Sequence, residues 1–155
     1  MSTAVELIGK SFVSTVSKIG VGSGALVISE SNRVLLIQRP FSLETDGGLW
    51  GQPGGRLEFG EHPKQATARH LTQLTGIKPD SLELLTVHTH MSKHPDGEIQ
   101  WISVCYLCTK FTDCSEHLED PENLRWSWFP IINLPTSLTG FTVASIEAFI
   151  RRLKL

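Results

Sequence analysis

Residues 48–61 carry the most informative stretch of the chain, Gly-Leu-Trp-Gly-Gln-Pro-Gly-Gly-Arg-Leu-Glu-Phe-Gly-Glu. Glycine and proline punctuate this stretch, which predicts an ordered loop with tight turns. Pro63 suits the first position of a following helix, where its missing N–H costs nothing. Gly76 suits the left-handed position after a last helical turn. We therefore predict a helix over residues 63–75, directly behind the loop.

Strands are predicted on both sides of this loop and helix. Runs of β-branched and apolar residues bounded by turn residues occur at 22–29, 34–38, 82–90, 99–109 and 126–129. The first two runs flank a short turn at 30–33 and resemble a hairpin, whereas 40–55 is predicted as loop. A second helix is predicted from apolar residues at helical spacing: Val143, Ile146, Phe149, Ile150 and Leu153. This order favours an α/β (α+β mixed) fold in which a mixed sheet lies between helices.

The bulk composition restricts the class of protein. A chain of 155 residues is the length of one domain, which we divide into a leader at 1–19 and a core at 20–153. The net charge of −2 disfavours binding to duplex nucleic acid, because domains that bind duplexes are usually strongly basic. No apolar run approaches the ~18 residues of a membrane helix. Three cysteines, an odd number, argue against a disulfide framework and indicate a reducing, cytoplasmic setting.

The spacing of the loop and helix resembles the Nudix (MutT-like) signature. That signature runs Gly, five residues, Glu, seven residues, then Arg-Glu-apolar-x-Glu-Glu-x-Gly-apolar. The matching positions in this chain are Gly55, Glu61, Arg69, Leu71, Gly76 and Ile77. The resemblance covers residues 20–153 and extends to Trp126-Ser-Trp-Phe-Pro130. It implies a Nudix-type α/β/α sandwich that acts on a nucleoside triphosphate or a nucleoside diphosphate derivative, closest to the small nucleoside triphosphate pyrophosphatases.

The signature is degenerate in its helix. The three carboxylates that hold Mg²⁺ or Mn²⁺ in the family align with His70, Gln73 and Leu74. Mg²⁺ prefers oxygen ligands, above all carboxylates. Glutamine offers one neutral oxygen, histidine a nitrogen and leucine nothing, while helical spacing lets Leu74 extend the apolar face of the helix. The resemblance therefore implies Mg²⁺ or Mn²⁺ as cofactor, bound weakly or not at all.

The resemblance also implies a set of site residues. As catalytic residues it indicates Glu58, Glu61, His70 and Gln73. As metal ligands it leaves Gly55, Glu58, Glu61 and Glu98, with Glu44 as a further loop carboxylate; Glu61 is also expected to pair with Arg69. As substrate-binding residues we predict Arg39, Arg56, Gly54, Gly55 and Trp128, since arginine binds phosphate through two donors and tryptophan either stacks on a nucleobase or packs in the core.

Two further patterns have alternative interpretations. His88 and His90 alternate along a strand, so both side chains lie on one face. With His70 or His94 they can form a zinc or nickel site, but no ligand spacing supports it, and we favour partly exposed polar side chains. Cys105 and Cys108 lie an odd number of residues apart, on opposite faces of a strand, which favours buried structural thiols over a metal site.

Three functions remain open at this stage. The first is hydrolysis of a nucleotide pyrophosphate bond, and the second is binding of a nucleotide or nucleoside diphosphate derivative without catalysis. The third is a scaffold, against which the retained loop argues. Losing one stabilising group often costs ~10²–10³ in rate, and the loss of a whole set favours the second function over Mg²⁺-dependent turnover. The resemblance is also compatible with a homodimer.

Overall fold

The computed structural model describes residues 17–43, 46–117 and 125–154. Within these ranges the chain forms nine strands, two helices and one 3₁₀ turn at Ser115–His117. The strands are β1 (Lys18–Val27), β2 (Arg33–Gln38), β3 (Trp50–Gly51), β4 (Gly54–Arg56), β5 (Ile77–Pro79), β6 (Glu83–His94), β7 (Gly97–Cys108), β8 (Phe111–Asp113) and β9 (Arg125–Pro130); the helices are α1 (Pro63–Thr75) and α2 (Gly140–Leu153). Neither helix is long and apolar enough to cross a membrane, as far as the described residues extend.

The largest sheet has the strand order β4-β1-β7-β6. Strand β1 runs parallel to β7 over ten residue pairs, from Lys18–Ile99 to Val27–Cys108. It runs antiparallel to β4, and β6 runs antiparallel to β7. The sheet is therefore mixed, as the sequence predicts. A second sheet has the order β3-β2-β9, and β5 pairs with β8.

The two helices cover opposite faces of the sheets. Residues Ala25 and Val27 of β1 pack in one apolar cluster with Leu71 of α1. Their neighbours Leu26 and Ile28 point the other way, into a cluster that contains Ile146 and Phe149 of α2. Successive side chains of a strand alternate between its faces, so this division places the sheet between the helices. The predicted α/β/α sandwich is confirmed.

Local signals set both ends of α1. The Nδ1 atom of His62 accepts a hydrogen bond from the N–H of Lys64 (3.0 Å), and the side chain of Gln65 accepts one from the N–H of His62 (3.1 Å). These two bonds satisfy N–H groups that the first turn leaves without helical partners. At the other end Gly76 has φ 72° and donates to the carbonyl of Thr72. The predicted bounds of this helix are confirmed.

The predicted hairpin of the first two strands is wrong. Strands β1 and β2 share one isolated antiparallel bridge, Ile28–Val34, and then separate into different sheets. The long parallel ladder with β7 takes β1 away from β2, which pairs with β9 instead. Strand β1 also begins at Lys18, inside the predicted leader, whereas residues 1–16 lie outside the described part of the chain. The predicted loop over 40–55 contains β3 and the start of β4.

Candidate functional site

A cavity of about 630 Å³ opens between the α2-facing side of the large sheet, the 48–61 loop and the segment after β2. It is lined by Gly22, Ser23, Gly24, Ile37, Arg39, Pro40, Ser42, Leu43, Asp46, Gly51, Gln52, Gly54, Gly55, Arg56, Leu74, His90, Ser92, His94, Trp101, Ser103, Cys105 and Phe141. Its size lies within the range of small-molecule pockets. Asp46 is the single acidic residue among these lining residues.

Glycines of β1 keep the floor of the cavity free of side chains. Gly20, Gly22 and Gly24 pair with Trp101, Ser103 and Cys105 of β7, so all six positions share one face. A Cβ atom on Gly20 would lie 2.6 Å from the Trp101 ring, and one on Gly24 would lie 2.6 Å from the carbonyl oxygen of Pro53. A larger residue at Gly20 or Gly24 would therefore collide with the Trp101 ring or with the signature loop.

The loop is fixed to α1 by an ion pair between Glu61 and Arg69. The guanidinium donates to both carboxylate oxygens, Nε to Oε2 and Nη2 to Oε1, each at 2.8 Å. The N–H of Glu58 donates to Oε1 as well (3.0 Å). The hydrogen bonds from Arg69 and Glu58 lower the pKa of Glu61 from 4.5 to about 2. Glu61 is thus an ionised structural partner of Arg69, as the resemblance implied.

His70 connects the helix to the same loop. Its Nε2 atom lies 2.8 Å from the carbonyl oxygen of Arg56 and donates to it. A Cβ atom on Gly55 would lie 2.5 Å from the imidazole Cε1, so the ring fills the space beside that glycine. The nitrogen that points at the loop carries a proton and has no lone pair for a metal ion. His70 does not line the cavity.

The other two exchanged positions of α1 differ from each other. Gln73 is exposed and does not line the cavity. Leu74 is half-buried and lines the cavity, and it is not part of the apolar cluster around Leu71. Its predicted role as an extension of the core is wrong, because this turn of α1 faces the cavity wall. An apolar side chain therefore occupies the position where the family pattern has a carboxylate.

The residues present do not suit a magnesium ion. Both oxygens of Glu61 already bind Arg69, and the exposed Glu58 lies 3.8 Å from the same guanidinium. Glu98 is exposed at the start of β7 and lies outside the cavity lining, while Glu44 is outside the described residues. Within 17–43, 46–117 and 125–154, no group of three or more His, Cys, Asp or Glu residues is placed to hold a metal. Mg²⁺ needs several oxygen ligands in a near-octahedral arrangement, which this donor set does not supply.

Four of the five predicted substrate-binding residues line the cavity: Arg39, Arg56, Gly54 and Gly55. The guanidinium carbon of Arg56 lies 4.8 Å from the ring centroid of Trp101. Such a contact between a cation and an aromatic ring orients the arginine across the floor. The cavity therefore offers cationic groups at the signature loop and at the segment after β2.

Trp128 is the exception. It stacks on Phe111 with ring centroids 5.7 Å apart and packs against the α1-side core, away from the cavity. Trp101 is the tryptophan that lines the cavity, and the sequence left its role open. Its position follows from its partners across β7, which are Gly20 on one side and His90 on the other.

Three histidines of β6 lie in or beside the cavity wall. The rings of His88 and His90 stack with centroids 5.9 Å apart, and His90 also stacks on Phe141 at 6.1 Å. Burial lowers the pKa of His90, and His88 lowers it further. His94 shares a hydrogen bond with Ser92 (3.0 Å), which also accepts one from the Trp101 indole (3.0 Å). His90 and His94 thus line the cavity as polar wall residues.

Cys105 and Cys108 are both buried and lie on opposite faces of β7, as predicted. Cys108 packs in the α1-side core, whereas Cys105 lines the cavity and accepts a hydrogen bond from the side chain of Gln52 (3.2 Å). Gln52 is a further lining residue that the sequence analysis missed. Its only sequence signal is a polar side chain inside a run of glycine, proline and tryptophan.

Comparison with known proteins gives consistent matches. Nudix hydrolase 7 of Arabidopsis thaliana is 30% identical over 112 residues, which is 72% of this chain and 39% of the plant protein. The 8-oxo-dGTP diphosphatase of Proteus vulgaris is 36% identical over 82 residues, 53% of this chain and 70% of that protein. The crystal structure of a MutT NUDIX hydrolase from Burkholderia pseudomallei superposes with a TM-score of 0.73 and 28% identity, over 84% of this chain and 98% of that one. Residues 18–151 match the NUDIX domain family, and the chain belongs to that family.

Proposed function

We propose that this domain binds a nucleoside triphosphate or a nucleoside diphosphate derivative in the cavity and hydrolyses it slowly or not at all with Mg²⁺. The observation that carries the proposal is the contrast between a retained cavity and a lost set of acids. The glycine floor and two arginines line the cavity, while helix positions 70, 73 and 74 hold His, Gln and Leu. Recognition and catalysis depend on different residues in this site, so one can persist without the other.

The charges of the lining residues support an anionic ligand. Arg39 and Arg56 supply guanidinium groups, which bind phosphate oxygens through two parallel N–H donors. Asp46 is the one acidic side chain that faces them among the described lining residues. The relative from Proteus vulgaris, an 8-oxo-dGTP diphosphatase, supports a nucleotide as the ligand class. The chain spans 39% of the length of the plant relative that it matches.

We expect weak catalysis because few carboxylate oxygens are available to hold a metal ion. Metal ions neutralise a pyrophosphate and lower the pKa of a bound water, and they need carboxylates to hold them in place. Glu61 is engaged by Arg69, and Leu74 presents no donor to the cavity. We therefore expect the nucleotide to bind without any requirement for a divalent metal.

The test is a panel of nucleotides measured for binding and for turnover. Calorimetric titration with ATP, GTP, ADP and ADP-ribose is carried out in EDTA and again with Mg²⁺ or Mn²⁺, and phosphate and pyrophosphate release is followed in parallel. We expect binding in EDTA at similar affinity to that in Mg²⁺, with little release. Efficient Mg²⁺-dependent release would overturn the loss of catalysis, and no binding of any nucleotide would overturn the proposal as a whole.

A slow hydrolase that uses Glu58 is the second candidate. Glu58 is 73% exposed at its side chain, and its 3.8 Å separation from Arg69 is longer than a hydrogen bond. It is therefore the one signature carboxylate whose oxygens are not held by close hydrogen bonds. If Mn²⁺ supports measurable release, Glu58→Gln should abolish it, whereas a contaminating enzyme would leave the rate unchanged.

A further inference from the structure

Gln52 lies at the inner end of the cavity and is held by its surroundings. The residue is only 6% exposed. Its side-chain Nε2 donates to Sγ of Cys105 (3.2 Å), and its backbone N–H donates to Oγ1 of Thr142 (2.8 Å). Thr142 is in turn hydrogen-bonded to the hydroxyl of Thr139 at 2.7 Å. The carboxamide is therefore held in position, with its backbone N–H and its side-chain nitrogen both bonded to protein atoms.

The carboxamide oxygen of Gln52 has no matching partner. Within the described part of the chain no donor reaches Oε1, although this atom is buried and the residue lines the cavity. Buried side-chain oxygens nearly always accept a hydrogen bond in folded proteins. A ligand that enters the cavity with an N–H group at this depth would supply the missing donor.

The carboxamide of Gln52 and the guanidinium of Arg56 lie at opposite ends of the cavity floor. Trp101, Ser103 and Cys105 occupy successive positions on the cavity face of β7. The four residue steps from Trp101 to Cys105 extend roughly 13 Å along the strand. Arg56 lies over Trp101 at one end, and Gln52 contacts Cys105 at the other. A ligand whose phosphates bind Arg56 therefore brings its opposite end towards Gln52.

We infer that Gln52 is a specificity-determining residue whose carboxamide oxygen accepts a hydrogen bond from the exocyclic amino group of a nucleobase. This inference rests on the proposed function, because it assumes a nucleotide in the cavity. Oε1 is the atom of this side chain that has no partner, whereas Nε2 already donates to Sγ of Cys105. The group missing at this end is therefore a donor, which the amino group of a nucleobase supplies.

The first test uses the unmodified protein and pairs of ligands that differ by one amino group. ADP is compared with purine riboside diphosphate, and GDP with IDP, by calorimetric titration in EDTA. Leaving a buried acceptor unpaired should weaken binding by about 10-fold to 100-fold for the analogue that lacks the amino group, in at least one pair. Equal binding within both pairs would overturn the inference, and so would binding in both pairs that is weaker for the ligand with the amino group.

The second test asks whether Gln52 causes the difference in affinity between ligands with and without the amino group. Gln52→Met keeps the length of the side chain and removes its acceptor, so the difference within the discriminating pair should disappear. Gln38→Met is the matched control, because Gln38 donates to the carbonyl of Gly48 (3.2 Å) and does not line the cavity. Discrimination that survives in Gln52→Met would overturn the assignment, and if this variant fails to fold, the ligand pairs on the unmodified protein decide.

The two proposals fail in distinguishable ways. If none of the four diphosphates binds, the proposed function is wrong and the inference about Gln52 falls with it. If they bind without regard to the amino group, the nucleotide site stands and only the inference is wrong.

Discussion

The imidazole of His70 donates a hydrogen bond to the carbonyl oxygen of Arg56, 2.8 Å away, and so joins α1 to the end of the signature loop. The family pattern has a carboxylate at this position. A carboxylate has no proton to give that carbonyl, whereas the imidazole does. The exchange therefore converts a position for binding a cation into a contact that holds the helix against the loop.

Restoring the three acids should restore metal binding. We expect the triple variant His70→Glu, Gln73→Glu, Leu74→Glu to bind Mg²⁺ more tightly and to raise nucleotide hydrolysis by roughly 10²-fold or more, since each stabilising group is often worth that much. Calorimetry with Mg²⁺ and a release assay measure the two effects. The variant His70→Gln with Leu74→Gln is the control, because it matches the size without the charge. A triple variant that folds, binds Mg²⁺ and nucleotide and stays inert would show that the defect lies elsewhere.

The ion pair between Glu61 and Arg69 makes the stability of the folded domain depend on pH at the acidic end of the range. Its pKa is about 2 in the folded protein and about 4.5 when unfolded, so its contribution is complete above pH 4.5 and is lost as the pH falls towards 2. We expect Glu61→Gln to lower the melting temperature at neutral pH and to flatten its decline between pH 4.5 and 2. Circular dichroism melts over this range test the expectation. Glu58→Gln, which removes a more exposed carboxylate, should leave the profile close to that of the unmodified protein; an identical change in both variants would contradict the assignment to Glu61.

The close approach of Gly54 to β1 predicts that a side chain at this position destabilises the domain. A Cβ atom on Gly54 would collide with the carbonyl oxygen of Ser23 and lie 2.7 Å from Cα of Gly24, and backbone atoms cannot move aside cheaply. We expect Gly54→Ala to destabilise the domain by about 1–3 kcal/mol, as overpacked substitutions do. Gly140→Ala is the control, because a Cβ atom there meets nothing within 4 Å. Urea denaturation of both variants distinguishes local collision from a general intolerance of glycine replacement.

Arg56 should contribute to affinity for phosphate and not to folding. We expect Arg56→Gln to weaken nucleotide binding by about tenfold or more, since a hydrogen bond to a charged group is worth ~1.5–3 kcal/mol. The backbone carbonyl that His70 binds is unchanged by this substitution, so the melting temperature should stay nearly constant. Lys64→Gln removes an exposed charge of α1 outside the cavity lining and serves as the control. Equal affinity in Arg56→Gln and in the unmodified protein would exclude the proposed contact.

The sequence predicts α1 well because its ends depend on neighbouring residues. Pro63 and Gly76 act within one turn of the helix, and no distant contact is needed to place them. The pairing of Glu61 with Arg69 follows from the spacing of the signature for the same reason. The separation of β1 from β2 was not predictable in this way, because it depends on the ladder between β1 and β7, whose members lie far apart in the chain.

The same limit explains the errors within the cavity. Trp101 and Trp128 both lie in predicted strands, and no local pattern tells which of them faces the core. The answer depends on which strand neighbours each one: Gly20 leaves room beside Trp101, whereas Phe111 covers Trp128. Leu74 was misplaced because helical spacing gives the face of a residue but not what packs against that face.

The ion pair between Glu61 and Arg69 bears on which ligands can change the stability of the domain. The loop is held to the helix by the chain's own charges, so we expect folding not to depend on binding of a divalent metal. A ligand that binds only the folded state raises its stability with the logarithm of ligand concentration. We expect the melting temperature to rise with the concentration of nucleotide and to stay the same when magnesium or a chelator is added. The fraction of domain with bound ligand would then depend on the nucleotide concentration alone.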